Sequence, residues 1–245
     1  NILVRENGIK GIVIVLDNCL TSITENDPAS AVACITAGAG AKLAALCAYA
    51  LKNGLKGLNF ALGIPGTVGG SIRVNAGARN GSMADVIDSI SVLLPQGSFR
   101  DLKKSALDFY YRGLDWPKNL ALEDGGDPII LEAALRLQRG DKGDLKKQAE
   151  QIMRQRKAQQ PWRDASAGCI FKNPEGEQSA GQLIDMAGLK GKSIGDAEVS
   201  SCHANFIINR GQATADDVLA LMDLVRSTVF QRYQIQLETE VKIVG

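Results

Sequence analysis

Apolar residues recur along this chain at two spacings, and the change from one to the other marks out the elements. Residues 2–5 and 11–16 alternate apolar and polar, which predicts two strands joined by the turn Glu6-Asn7-Gly8. Residues 31–37 predict a third strand. Residues 39–53 are rich in Ala and Leu at helical spacing, and Gly54 stands where a helix would end. Residues 86–94 and 98–102 predict a hairpin through Pro95-Gln96-Gly97, and residues 129–138 another strand. Near residue 140 the pattern turns polar. Asp144 is placed to cap a helix over 145–159 that stops before Pro161. Beyond it, strands are predicted at 167–172, 203–209 and 237–244, and helices at 179–187 and 214–233. The last helix opens on Thr214 with Asp217 three residues on, a capping-box pattern. This β-α-β-α-β order suits a small α+β layer.

One stretch fits neither period. Residues 63–78 read Gly-Ile-Pro-Gly-Thr-Val-Gly-Gly-Ser-Ile-Arg-Val-Asn-Ala-Gly-Ala, with five glycines and one proline in sixteen residues. Glycine lets backbone approach a ligand without a Cβ in the way. Val68, Ile72 and Val74 are spaced to anchor such a loop on a core. A rigid loop rich in N–H donors suits a phosphate or a flat polar ring. The same residues also read as a tight turn between packed elements.

The composition narrows the field. With 245 residues, 45% of them apolar and 22% charged, the chain has material for one large or two modest domains. The net charge of +1 gives no bulk attraction for a polyanion. No run of eighteen apolar residues predicts a membrane span, and no signal-peptide pattern opens the chain. Because it starts at Asn1 without methionine and enters a strand at once, an upstream segment is expected. The five cysteines (19, 34, 47, 169, 202) lack CxxC spacing, which predicts neither a disulfide framework nor a metal site. Cys34 and Cys47 lie in apolar runs and read as small buried hydrophobes. His203 is the one histidine, so a mechanism needing two is excluded.

Three short segments carry candidate chemistry, each with two readings. In Phe109-Tyr110-Tyr111-Arg112-Gly113 the guanidinium either clamps a carboxylate or packs on the aromatic rings at the surface. In Ser166-Ala-Gly-Cys-Ile-Phe-Lys-Asn-Pro174, Cys169 is a proton donor or nucleophile, or a structural cysteine. Strand alternation would set Cys169 and Phe171 on one face, and Ile170 and Lys172 on the other. In Leu237-Glu-Thr-Glu-Val-Lys-Ile-Val-Gly245, Glu240 is an acid within an apolar strand or a solvent-facing charge on an edge.

Together, and in this order, these segments resemble the UDP-N-acetylenolpyruvoylglucosamine reductase (MurB) family. Residues 1–5 resemble the end of its Gly-Ser-Asn-Leu-Leu-Val segment, and 63–78 its flavin loop. Tyr111-Arg112 resembles its Tyr-Arg pair, and residues 166–174 the strand with its proton donor. Residues 180–191, 203–209 and 240–245 resemble further family blocks. Two places depart from the pattern: Leu114 stands where a small polar residue is usual, and Arg79-Asn80 replaces an aromatic-Gly pair.

The resemblance implies an α+β fold. A two-lobed FAD-binding domain of the vanillyl-alcohol-oxidase/PCMH type, its first lobe mostly missing here, joins a small α+β substrate-binding domain. The implied boundaries are 1–142 for the FAD-binding domain, 143–161 for a connecting helix and 162–236 for the substrate-binding domain. A last strand, 237–245, returns to the flavin side. The chain is of the shorter type, without a tyrosine-bearing insertion. The implied reaction is NADPH-driven, FAD-dependent reduction of UDP-N-acetylglucosamine enolpyruvate to UDP-N-acetylmuramate in the bacterial cytoplasm, by a monomer with no nucleic-acid or membrane partner.

By the same resemblance Arg112, Cys169 and Glu240 are catalytic, with cysteine where many family members have serine. Asn1, Ile64, Pro65, Gly66, Thr67, Gly69, Gly70, Ser71, Asn75, Ala76 and Gly77 bind FAD. Tyr111, Lys172, Asn173 and His203 bind substrate, with a structural hydrogen bond as the other reading of His203. The alternatives are another FAD oxidoreductase of this fold and a non-catalytic paralogue. The joint presence of Arg112, Cys169 and Glu240 argues against both.

Overall fold

The strand Ile129–Arg139 is the spine of the larger sheet, paired antiparallel on both edges. On one side lies Val32–Gly38 and then Ile23–Glu25. On the other lie Ile87–Leu93 and Phe99–Lys103, with the short Leu55–Lys56 also paired to the spine. The computed structural model describes residues 1–16, 18–78, 80–118, 120 and 126–245. Arg79, one of the departures from the family pattern, lies outside them.

The described chain forms two compact units. One is Val15–Arg154, and the other joins Asn1–Ile14 to Gln155–Gly245. In the first, the helix Leu43–Lys52 buries Leu43, Leu46, Cys47 and Ala50, the i, i+3, i+4, i+7 stripe of a one-sided helix. It ends at Gly54, whose φ of +67° suits glycine. The sheet's inward residues Ile35, Ile90 and Leu135 are fully or almost fully buried with them. Each such aliphatic side chain contributes roughly 1.5–3 kcal/mol when fully buried.

The second unit has a four-stranded antiparallel sheet, in the order Ala165–Cys169, Phe206–Asn209, Ala197–Val199, Ser193–Ile194. Helices Ala180–Met186 and Ala215–Tyr233 cover it with Leu183, Ile184, Leu221, Val225 and Val229. Both helices open on a capping box, predicted for the second and found in the first as well. Ser179 pairs reciprocally with Gln182, and Thr214 with Asp217. A separate parallel pair, Ile2–Val4 with Lys242–Val244, ties the first residues to the last.

Several expectations are corrected. Residues 11–16 form no strand; Ile12 is 93% exposed, and alternation without a pairing partner builds no ladder. The cap of the connecting helix is Asp141, not Asp144. The Asp141 carboxylate accepts the Asp144 N–H (2.9 Å), and the helix runs Lys142–Gln159. The predicted strand at 203–209 begins only at Phe206, and the closing strand only at Lys242. Cys47 is buried, but Cys34 is only half-buried. Among the described residues no helix is long and apolar enough to cross a membrane.

Candidate functional site

Each unit carries part of the predicted site. In the first, the glycine-rich loop is stitched to the core by its backbone. Leu43 N–H donates to the Gly66 carbonyl (3.0 Å), Val68 N–H to Ala41 (2.8 Å) and Gly69 N–H to Ala39 (2.9 Å). The loop then winds into the short helix Val68–Arg73, capped where the Thr67 hydroxyl accepts the Gly70 N–H at 3.3 Å. Gly69 is required by this close approach, because a Cβ there would lie 2.7 Å from the Cβ of Ala39.

Anchored in this way, the loop exposes Pro65, Gly66 and Gly70. It half-exposes Ile64, Thr67 and Gly77, and it buries Gly69, Ser71, Asn75 and Ala76. A cavity of about 210 Å³ opens over Thr67, Gly69, Gly70 and Arg73, with Ala39 and Ile130 also in its lining. Pockets that engulf a whole ligand run to about 300–1,000 Å³, so this one suits a part of a large cofactor. The bare Gly70 backbone and the Thr67 hydroxyl at its rim fit a polar flat group.

Two predicted cofactor residues have their side chains engaged inside the unit. Ser71 donates to the Val68 carbonyl at 2.7 Å. Asn75, held at φ +40°, donates to the Tyr110 carbonyl (2.9 Å) and accepts the Ala84 N–H (3.0 Å). Asn75 thereby ties the loop to the hairpin Asp108–Tyr110/Gly113–Asp115, whose two-residue turn is Tyr111-Arg112. Arg112 completes the tie, since its Nη1 donates to the Gly77 carbonyl at 2.9 Å. Its guanidinium stands 5.3 Å from the Tyr111 ring centroid. Arg112 has φ +61°, at a turn position that favours glycine. Strain of this kind clusters at functional sites. Arg73, which the sequence reading passed over, donates to the Leu114 carbonyl (3.0 Å) and pairs with Asp127 (2.6 Å). Leu114 itself is a core residue.

In the second unit, a bulge displaces the strand Ala165–Cys169 from its partner between Ser166 and Cys169. Gly168 takes φ +78° there, and a Cβ on it would meet the Asn1 amide nitrogen at 2.7 Å. Asn1, predicted with the flavin loop, therefore belongs to the unit of Cys169. Bulges re-aim side chains, and the predicted alternation fails beyond this one, where Ile170 and Phe171 are both buried. Past Cys169 the chain runs beside the closing segment. Glu240 N–H donates to the Ile170 carbonyl (2.7 Å), and Lys172 N–H to the Glu238 carbonyl (2.8 Å). Cys169 and Glu240, far apart in sequence, thus sit on neighbouring backbones one residue out of step. Both side chains are half-buried.

The predicted substrate residues are less uniform. Lys172 Nζ lies 3.4 Å from a Glu238 carboxylate oxygen. The Asn173 side-chain oxygen accepts the Ala180 N–H (3.1 Å) at the start of a helix. His203 Nδ1 accepts the Asn205 N–H at 3.2 Å, so this nitrogen is unprotonated. That hydrogen bond is of the kind the structural reading of His203 expects. Burial pushes its pKa below 6.5, and the nearby Lys190 cation lowers it further.

A depressed histidine pKa makes the unfolded chain bind more protons than the folded one below about neutral pH. Stability supplied by neutral His203 is therefore present above 6.5 and lost as pH falls from there toward the folded value. Glu198, held below 4.5 by its bond to Arg210, loses its contribution only at lower pH. His203→Asn keeps an acceptor without the titration. Its melting temperature is expected to stay flat between about pH 7 and 5 where wild type declines, as thermal unfolding across a pH series would report. Parallel declines would contradict the assignment.

Comparison with known proteins matches both units. The profile of the UDP-N-acetylenolpyruvoylglucosamine reductase C-terminal domain matches residues 160–244, and that of an FAD binding domain matches residues 1–103. The UDP-N-acetylenolpyruvoylglucosamine reductase of Desulfosudis oleivorans is 46% identical over all 245 residues, which span 78% of that protein. The protein of that name from Halalkalibacterium halodurans is 42% identical, again over the whole chain and 77% of its own length. The crystal structure of the Thermus caldophilus enzyme is 40% identical, with a TM-score of 0.74 over 86% of this chain and 72% of that one.

Proposed function

The chain belongs to the UDP-N-acetylenolpyruvoylglucosamine reductase family, and on that premise we propose how its residues divide the work. It is an FAD-dependent oxidoreductase of peptidoglycan precursor synthesis. We assign NADPH as the reductant, UDP-N-acetylglucosamine enolpyruvate as the acceptor, and a monomer in the bacterial cytoplasm as the working form. Residues 1–142 would serve the flavin and 162–236 the substrate, with 143–161 connecting them and 237–245 returning.

The residues present fit the cofactor. Pro65, Gly66 and Gly70 are exposed, Thr67 and Gly70 line the cavity, and Ser71, Asn75 and Ala76 are buried behind them. When bound, FAD supplies the hydride.

Reduction of an enolpyruvyl group adds hydride to its methylene carbon. Negative charge then spreads from the neighbouring carbon into the carboxylate. Arg112 supplies a fixed cation for that carboxylate, pre-oriented by its bond to Gly77. We assign to Glu240 the role of an acid that hydrogen-bonds developing negative charge. The neighbouring carbon finally takes a proton from the Cys169 thiol. An ordinary thiol, of pKa about 8.5, is a stronger acid than the serine hydroxyl common in the family, so cysteine preserves the role.

The observation that carries this reading is the ladder in which the Ile170 carbonyl accepts the Glu240 N–H. It sets the thiol-bearing strand beside the acid. The test is anaerobic. Full-length protein is expected to purify yellow and bleach with NADPH. Its colour should return on adding UDP-N-acetylglucosamine enolpyruvate, with UDP-N-acetylmuramate formed. Bleaching with no return of colour would reject the substrate assignment.

A further inference from the structure

We propose that Asn205, a residue with no part in the predicted site, is the positioning residue that holds the proton donor in register. This rests on the reading of Cys169 as that donor. Asn205 is 3% exposed, and its side chain behaves as a piece of strand. Its Oδ1 accepts the Phe171 N–H at 3.0 Å, and its Nδ2 donates to the Phe171 carbonyl at 2.8 Å. Its own main-chain carbonyl accepts the Ile170 N–H at 2.9 Å.

The main-chain bond carries the pairing to Ile170, and the two side-chain bonds continue it to Phe171. The Cys169–Phe206 pair is the last rung of the true ladder. Past it, the amide stands in for a backbone partner to a residue only 2% exposed, whose polar groups water cannot reach. Ile170, between Cys169 and the Phe171 that the amide clamps, is held from both sides, its N–H on the Asn205 main-chain carbonyl and its carbonyl on the Glu240 N–H. The offset between Cys169 and Glu240 is set through that one residue.

Asn205 is in turn fixed by its own loop. Its N–H donates to His203 Nδ1 (3.2 Å), and the Ser200 hydroxyl oxygen accepts the N–H groups of Cys202 (3.2 Å) and His203 (3.4 Å). All of these contacts are made within one unit, and the side chain acts through Cys169 rather than on substrate.

The chemistry of an amide mimic gives a specific test. A neutral carboxylic acid reproduces the pattern, with O–H donating to the Phe171 carbonyl and C=O accepting its N–H. A carboxylate cannot donate. Burial also raises a carboxyl pKa. Asn205→Leu and Asn205→Asp would be made in the full-length, flavin-loaded enzyme. Three quantities would be measured: the rate of bleaching by NADPH, the rate of colour return at saturating substrate, and the rate of Cys169 alkylation by iodoacetamide, read by peptide mass spectrometry.

Bleaching is expected to stay within about twofold of wild type in both variants. Colour return in Asn205→Leu should slow by about tenfold or more, with a changed Cys169 alkylation rate. Asn205→Asp should match Leu at high pH. As pH falls and the carboxyl protonates, it should recover toward wild type, each rate being taken relative to wild type at the same pH. If the Leu variant does not fold, the Asp series alone decides.

A wild-type ratio of the two rates in the Asp variant at every pH would overturn the proposal, and so would an Asp variant that never recovers. Failure of the wild type to regain colour would instead overturn the reading of the reaction on which it rests.

Discussion

Cys169→Ala in the full-length enzyme is expected to slow reduction of UDP-N-acetylglucosamine enolpyruvate by about 10²–10⁴-fold, the usual contribution of a positioned general acid. Cys169→Ser should retain measurable turnover, because a hydroxyl at the same Cβ still delivers a proton, though less readily. The effect is chemical rather than structural. Cys169 is only half-buried and ends its strand at a bulge, so exchanging sulfur for hydrogen opens no large core cavity. Steady-state NADPH oxidation in the two variants, with thermal unfolding as a control, is the check. Equal losses in Ser and Ala would point away from proton donation.

Arg112→Gly carries the second large effect. At φ +61° arginine bears the strain that glycine escapes, on the order of 1–2 kcal/mol. Removing it also deletes the hydrogen bond to the Gly77 carbonyl, worth about 0.5–1.5 kcal/mol. The two nearly offset, so stability should move by less than about 1 kcal/mol. Activity should fall by about 10²–10³-fold, since a donor aimed at developing charge is lost. Arg112→Lys keeps the charge and the strain but lacks the planar fork, and it should recover only a fraction of the rate. A large drop in melting temperature alongside the lost activity would reassign Arg112 to holding the loop.

The parts of this fold that could be read in the sequence are those fixed locally. Thr214, Asp217 and the stripe Leu221, Val225 and Val229 define a helix without reference to any other element. The glycines of the loop announced a close backbone approach, which Gly69 against Ala39 makes concrete. What was hidden is non-local. Asn205 reaches Phe171 across 34 positions, and an isolated Asn after His-Ala gives no sign of that. The Gly168 bulge turns Ile170 and Phe171 inward together, which strict alternation cannot anticipate. Arg112 occupies a left-handed turn position that favours glycine, and the bond to Gly77 that accompanies it joins segments 35 residues apart. The Asn75 bond to Tyr110 spans the same separation. It makes a residue expected on the cofactor also a brace between the loop and the hairpin that carries Arg112.

The central claim is that Cys169 delivers the proton that completes substrate reduction and takes no part in loading the flavin with electrons. The most direct measurement is anaerobic stopped-flow absorbance on full-length Cys169→Ala, with the two halves of the reaction started separately. Bleaching by NADPH is predicted to proceed at the wild-type rate, and colour return with UDP-N-acetylglucosamine enolpyruvate to be almost absent. Equal slowing of both halves, or colour returning at the wild-type rate, would contradict it.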